Sequence, residues 1–141
     1  MPLKLSLKPS ERFVINGAVM QNGDRRTILL LQNKASVLRE KDIFQPEQID
    51  SPAKHIYFPI QMMYLQPEDA AAFYDQFVLR MSEFMNVIRS ADILKECVAI
   101  SRDVMAADYY KALTRCRKLL TYEEERLSNV GDGVPEGGSE E

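Results

Sequence analysis

Leu3, Leu5 and Leu7 open the chain at every second position and short apolar runs between turns follow to Leu38, whereas from Pro67 onward apolar side chains recur every three to four. A strand sends alternate side chains to opposite faces and a helix brings every third or fourth to one face, so the two stretches form different elements. The chain is therefore expected to be an α+β protein, with a sheet first and helices after it.

Leu3, Leu5 and Leu7 alternate with Lys4, Ser6 and Lys8, the pattern of a strand with one dry and one wet face. Pro9-Ser10 turns the chain. Asn16-Gly17 then joins Phe13-Val14-Ile15 to Ala18-Val19-Met20, and Asn22-Gly23-Asp24 joins that run to residues 27–31. Asn-Gly is a strong hairpin signal because both central residues of a type I′ turn need positive φ. Gln32-Asn33-Lys34 reads as one more turn before Ser36-Val37-Leu38-Arg39. The expected product is a small five-stranded antiparallel N-terminal sheet, a meander in which each strand pairs with the next. Leu29 and Leu31 point opposite to Ile28 and Leu30, so both faces of the fourth strand want burial. A sheet this small cannot cover both of its own faces, and either the C-terminal helices or a second copy of the sheet must do so.

Four segments follow from the punctuation. Residues 1–44 make the basic meander, and residues 45–66 a connector interrupted by Pro46, Pro52 and Pro59. Within the connector Ile56-Tyr57-Phe58 and Met62-Met63-Tyr64-Leu65 fit a short strand, a kinked helix or one of each; extended chain before Pro59 and a helical turn after it is the preferred form. Residues 67–128 carry three expected helices, over 67–89, 91–106 and 108–128. Pro67-Glu68-Asp69 opens the first, and Ser90 caps the second. Four of the six glycines lie in the last eleven residues among acidic side chains, so residues 129–141 read as a disordered acidic tail.

The formal charge of −3 hides an asymmetry. Residues 1–41 hold eight basic and three acidic side chains, and the remainder ten basic and eighteen acidic. The basic half is the candidate for an anionic partner. Met1-Pro2-Leu3-Lys4 does not open an apolar export signal, and no apolar run approaches the roughly 20 residues a membrane span needs. A cytoplasmic protein, with Cys97 and Cys116 as reduced thiols, is the expectation.

Catalytic chemistry finds little support. His55 is the lone histidine, the cysteines are 19 residues apart, and neither Asn-Gly makes a phosphate loop. Consecutive Glu123, Glu124 and Glu125 spread around a helix and read as a solvated end. A non-enzymatic protein without cofactor or metal is expected. The row Ala70, Phe73, Tyr74, Phe77, Val78, Met81, Phe84, Met85 and Ile88 reads first as a core face, with a groove for a partner helix as the alternative. Lys111, Arg115 and Lys118 read as a solvated face balanced by nearby acids. More specific is the basic sheet: Lys4 and Lys8 on strand one, Arg25 and Arg26 opening strand four, Lys34 before strand five, and Arg39 and Lys41 closing it. Short strands bring such charges onto one surface, where they would neutralise phosphates.

The opening from Pro2 to Gly17, the run from Arg26 to Lys41, and the later Ile56-Tyr57-Phe58, Gln61-Met62-Met63-Tyr64-Leu65 and Pro67-Glu68 resemble the FlbT family of flagellum biosynthesis repressors. The resemblance covers nearly the whole chain apart from the acidic tail. It implies post-transcriptional repression of flagellin synthesis, through binding of the 5′ untranslated leader of flagellin mRNA and decay or blocked translation of that message. It also implies a FlaF-like protein or flagellin as a possible partner through the helical face, the competing reading being a protein-interaction module that affects mRNA indirectly. Residues 5–43, ending in Val37-Leu38-Arg39-Glu40-Lys41-Asp42-Ile43, are similar to the CsrA family of small mRNA-binding repressors. That likeness implies a homodimer through the N-terminal sheet and makes Arg39 the leading RNA contact. Leu7 and Ser10 depart from the CsrA pattern, which has a basic residue and a glycine there.

Overall fold

A computed structural model describes residues 3–131, with side chains placed through residue 127. It divides into two compact units, Met1–Phe44 and Gln45–Glu141. The first is built on five strands, β1 (Leu3–Leu7), β2 (Arg12–Ile15), β3 (Ala18–Gln21), β4 (Thr27–Leu31) and β5 (Val37–Arg39), followed by a 3₁₀ turn over Glu40–Asp42. Five strands are present, but they do not form one meander. β1 pairs with β4 in a two-stranded sheet, while β2 is central to a three-stranded sheet of order β3-β2-β5. All pairings are antiparallel.

The turns explain this departure. Asn16 and Gly17 have φ of 50° and 83°, as the hairpin between β2 and β3 demands. Asn16 also bonds across to the start of β5: its N–H donates to the Ser36 carbonyl at 2.8 Å, and its side-chain oxygen accepts from Ser36 N–H at 2.9 Å. Asn22-Gly23 does not make the second expected hairpin. Among the described residues Gly17 is the only glycine at positive φ. The Asn22 amide instead donates to the carbonyls of Lys8 and Arg25, each at 2.8 Å, and Ser10 N–H donates to the Gly23 carbonyl. These bonds tie the segment before β4 to the Pro9-Ser10 turn, so β4 departs from β3 and lies beside β1.

Burial follows the pairing. β2 and β5 bury both faces, through Phe13 with Val14 and Val37 with Leu38. β4 does not. Ile28 and Leu30 are exposed while Thr27, Leu29 and Leu31 are half-buried.

The second unit contains four principal helices where three were expected: α1 (Pro52–Leu65), α2 (Ala70–Val87), α3 (Ala91–Met105) and α4 (Tyr109–Gly131). Residues 52–65 thus form a continuous helix in place of extended chain before Pro59. Ser51 caps it and Pro52 occupies its first turn. Pro59 removes the N–H that would bond the His55 carbonyl, yet Ala53, Ile56, Tyr57, Ile60 and Met63 are all buried at helical spacing. The apolar face holds α1 together across the proline. A single 3₁₀ turn, Pro67–Asp69, precedes α2, and Ser90 caps α3 by accepting from Ile93 N–H at 3.3 Å. Ala107, at φ 59°, separates α3 from α4.

α1 packs against both α2 and α4, and α3 against α4. Tyr64 meets Tyr110 with ring centroids 5.7 Å apart, and Ala53 N–H donates to Glu123 Oε2 at 3.0 Å, so α1 and α4 run antiparallel. Glu123 is therefore not part of a solvated end. Its carboxylate satisfies the positive N-terminus of α1. Arg115 pairs with Asp103 at 2.8 Å, and Lys118 with Glu96 at 3.2 Å, which places the cations of α4 against the acids of α3. On α2, Phe77, Met81 and Phe84 are core, while Tyr74, Val78 and Leu79 are exposed. Cys97 and Cys116 are free and buried, and burial pushes the Cys97 thiol up to about 11 and the Cys116 thiol higher still. α4 extends into the first residues of the expected tail; residues 132–141 lie outside the described residues. Among the described residues no helix is long and apolar enough to cross a membrane.

Candidate nucleic-acid interface

Ser6, Lys8, Glu11, Arg26, Arg39, Glu40 and Lys41 line a cleft of about 510 Å³ on the sheet unit. β1 supplies Ser6, the adjoining turn Lys8 and Glu11, the segment entering β4 Arg26, and β5 with the 3₁₀ turn after it Arg39, Glu40 and Lys41. Of the seven predicted cations the structure brings four together: Lys8, Arg26, Arg39 and Lys41. Lys4, Arg25 and Lys34 do not line this cleft. Lys4 lies opposite Leu30 on the β1–β4 ribbon, and Lys34 is exposed in the loop before β5.

At the centre sits a pair missed in the sequence reading. Arg39 donates from Nε to Glu11 Oε2 and from Nη2 to Glu11 Oε1, both at 2.9 Å, a forked arrangement matched to the planar guanidinium. Nη2 also donates to the Ser6 carbonyl. Glu11 accepts in addition from Lys8 N–H at 2.8 Å. The Arg39 guanidinium, and next the Lys8 N–H, hold the Glu11 carboxyl down at about 2, while Glu11 raises the Arg39 pKa further. Glu40 is tethered too, accepting from Arg12 N–H at 3.2 Å. Glu11 and Glu40 could be found as acids inside the basic stretch, but only β1, β2 and β5 converging on one turn shows what they hold.

This geometry changes Arg39's part. Its fork is occupied by Glu11 and its Nη2 is anchored to β1, so its guanidinium is fixed in the cleft by both. Lys8, Arg26 and Lys41 are exposed and surround it. A tethered cation amid three exposed ones suits a polyanion. Among the described residues no group of three or more His, Cys, Asp or Glu is placed to hold a metal ion.

A two-sheet unit bearing a cationic cleft, joined in one chain to a unit of four helices, is the class of protein defined here. The family model for the flagellar protein FlbT matches residues 3–127, and the chain belongs to that family. The flagellum biosynthesis repressor protein FlbT of Caulobacter vibrioides is 62% identical over 138 residues, covering 98% of each chain. Probable flagellum biosynthesis repressor proteins from another Caulobacter and from Rhodopseudomonas palustris are 59% and 41% identical, over 92% and 91% of this chain and 99% of each relative. No solved structure matches.

Proposed function

We propose that this protein is a post-transcriptional repressor of flagellin synthesis in flagellum biogenesis, acting in the cytoplasm by binding the 5′ leader of flagellin mRNA. The observation that carries the binding step is the convergence of Lys8, Arg26, Arg39 and Lys41 on one cleft. The relatives' names support the regulatory role. The cleft holds backbone phosphates and unpaired bases, and occupancy of the leader blocks ribosome entry or opens the message to nucleases. Acting by occupancy requires no catalytic group or cofactor. Lys4, Arg25 and Lys34 become outlying contacts at most.

Binding of a flagellin-leader RNA tests the proposal. With four phosphates neutralised on a single strand, affinity falls about fiftyfold between about 50 and 200 mM salt. Charge reversal at exposed Arg26 and Lys41 weakens binding of every leader sequence, whereas Arg39→Glu also breaks the pair with Glu11 and is read only alongside a fold check. Undiminished binding in the folded Arg26→Glu/Lys41→Glu variant would exclude the cleft.

One observation favours a second reading. Tyr74, Val78 and Leu79 leave α2 with an exposed apolar flank. A FlaF-like protein or flagellin docked there would make the effect on mRNA indirect. Capture of such a partner by a chain that binds no leader RNA at low salt would select this reading.

A further inference from the structure

Thr27–Leu31 forms a five-residue edge strand with no charge and no proline, and the uncharged run continues through Gln32 and Asn33. Natural sheets blunt such edges with charge, proline, bulges or a covering element, because unpaired N–H and C=O groups template further strands. β4 carries none of those sequence devices. It belongs to a sheet of two strands, below the three needed for independent stability. The opposite rim of this ribbon is engaged: Arg39 reaches from β5 to the Ser6 carbonyl on β1. On one face of β4, Ile28 is 52% and Leu30 58% exposed.

We infer that β4 is a dimerisation edge whose occupant is β4 of a second copy of this chain. Antiparallel pairing about a two-fold axis closes after two copies and makes a continuous four-stranded sheet, β1-β4-β4-β1. Centred on Leu29, this register sets Ile28 of each copy opposite Leu30 of the other, two aliphatic cross-strand pairs on one face. No charge meets a like charge at the seam, since Lys4, the cation opposite Leu30, stands on the outer strand. β3 offers a second exposed edge through Val19 and Met20, but its sheet already has three strands. The inference is independent of RNA, and its test contains none.

Light scattering on the full chain should report twice the 16.2 kDa of one copy at micromolar concentration. Ile28→Lys/Leu30→Lys, both changes at exposed positions, should give a monomer with an unchanged circular dichroism spectrum. Amide exchange on the unaltered chain gives a second readout that needs no variant. Alternate β4 amides should be protected when the chain is concentrated and exchange at least tenfold faster when it is diluted to monomer. A monomeric unaltered chain, a dimer that survives both lysines, or a dimer with rapidly exchanging β4 amides would each overturn the inference.

Discussion

Glu11 shows how a single side chain can decide both the shape and the pH response of the sheet unit. Its carboxyl titrates near 2 in the folded chain, against an ordinary 4.5, because ionised Glu11 accepts from Arg39 and Lys8 N–H. A depressed carboxyl contributes stability that is whole above its unfolded pKa and disappears as pH falls through its folded pKa. Glu11→Gln should therefore cost about 1.5–3 kcal/mol at neutral pH, the scale for hydrogen bonds to charged groups. The variant should lose less than the unaltered chain as pH drops from about 5 to about 2. Denaturant midpoints across that range measure both effects; parallel curves would show that Glu11 ionisation does not drive the acid loss, and coincident curves that Glu11 contributes nothing. The two Asn-Gly pairs separate in the same way. Gly17→Ala, at φ 83°, should destabilise by about 1–2 kcal/mol. Gly23→Ala enters open space without positive φ and should be neutral or stabilise by up to about 1 kcal/mol, as equilibrium unfolding can measure.

At the level of elements, local signals were legible and distant pairings were not. Asn16-Gly17 specifies its hairpin because the requirement for positive φ is met within the dipeptide. Ser90 specifies the start of α3 because its hydroxyl accepts from Ile93, three residues on. Ser90→Ala should accordingly cost about 1 kcal/mol, with faster amide exchange confined to the first turn of α3. Loss of protection throughout the unit would point to a wider role for that serine. Nothing local tells β4 to choose β1, more than twenty residues back, over adjacent β3; bonds from Asn22 to Lys8 and Arg25 make the choice. The apolar spacing of α1 was present in the sequence, but Pro59 masked it, and only burial of Ile56, Tyr57, Ile60 and Met63 outweighs the missing bond. The cleft was legible as charge, through Lys8, Arg26, Arg39 and Lys41, and illegible as geometry. The Glu11 pairing depends on three strands reaching one place.

For the whole molecule, the useful number is not the net charge of −3 but the share of the cations an anion can reach. Residues 1–41 hold eight basic side chains, and four of them line the cleft. Counterion release counts only phosphates that are actually neutralised, so four contacts on single-stranded RNA predict a log-log salt slope near −2.8, and eight would predict about −5.6. Each contact removed should reduce the slope by about 0.7. Lys41→Gln should thus flatten the salt dependence by that amount and weaken binding of related and unrelated RNA alike, because a phosphate contact positions the strand without reading it. Lys34→Gln, outside the cleft, should leave the slope unchanged. Titrations of leader RNA at four or more salt concentrations measure both variants. Equal flattening by the two substitutions would mean that RNA responds to the overall charge of the sheet unit, and the cleft would lose its special place.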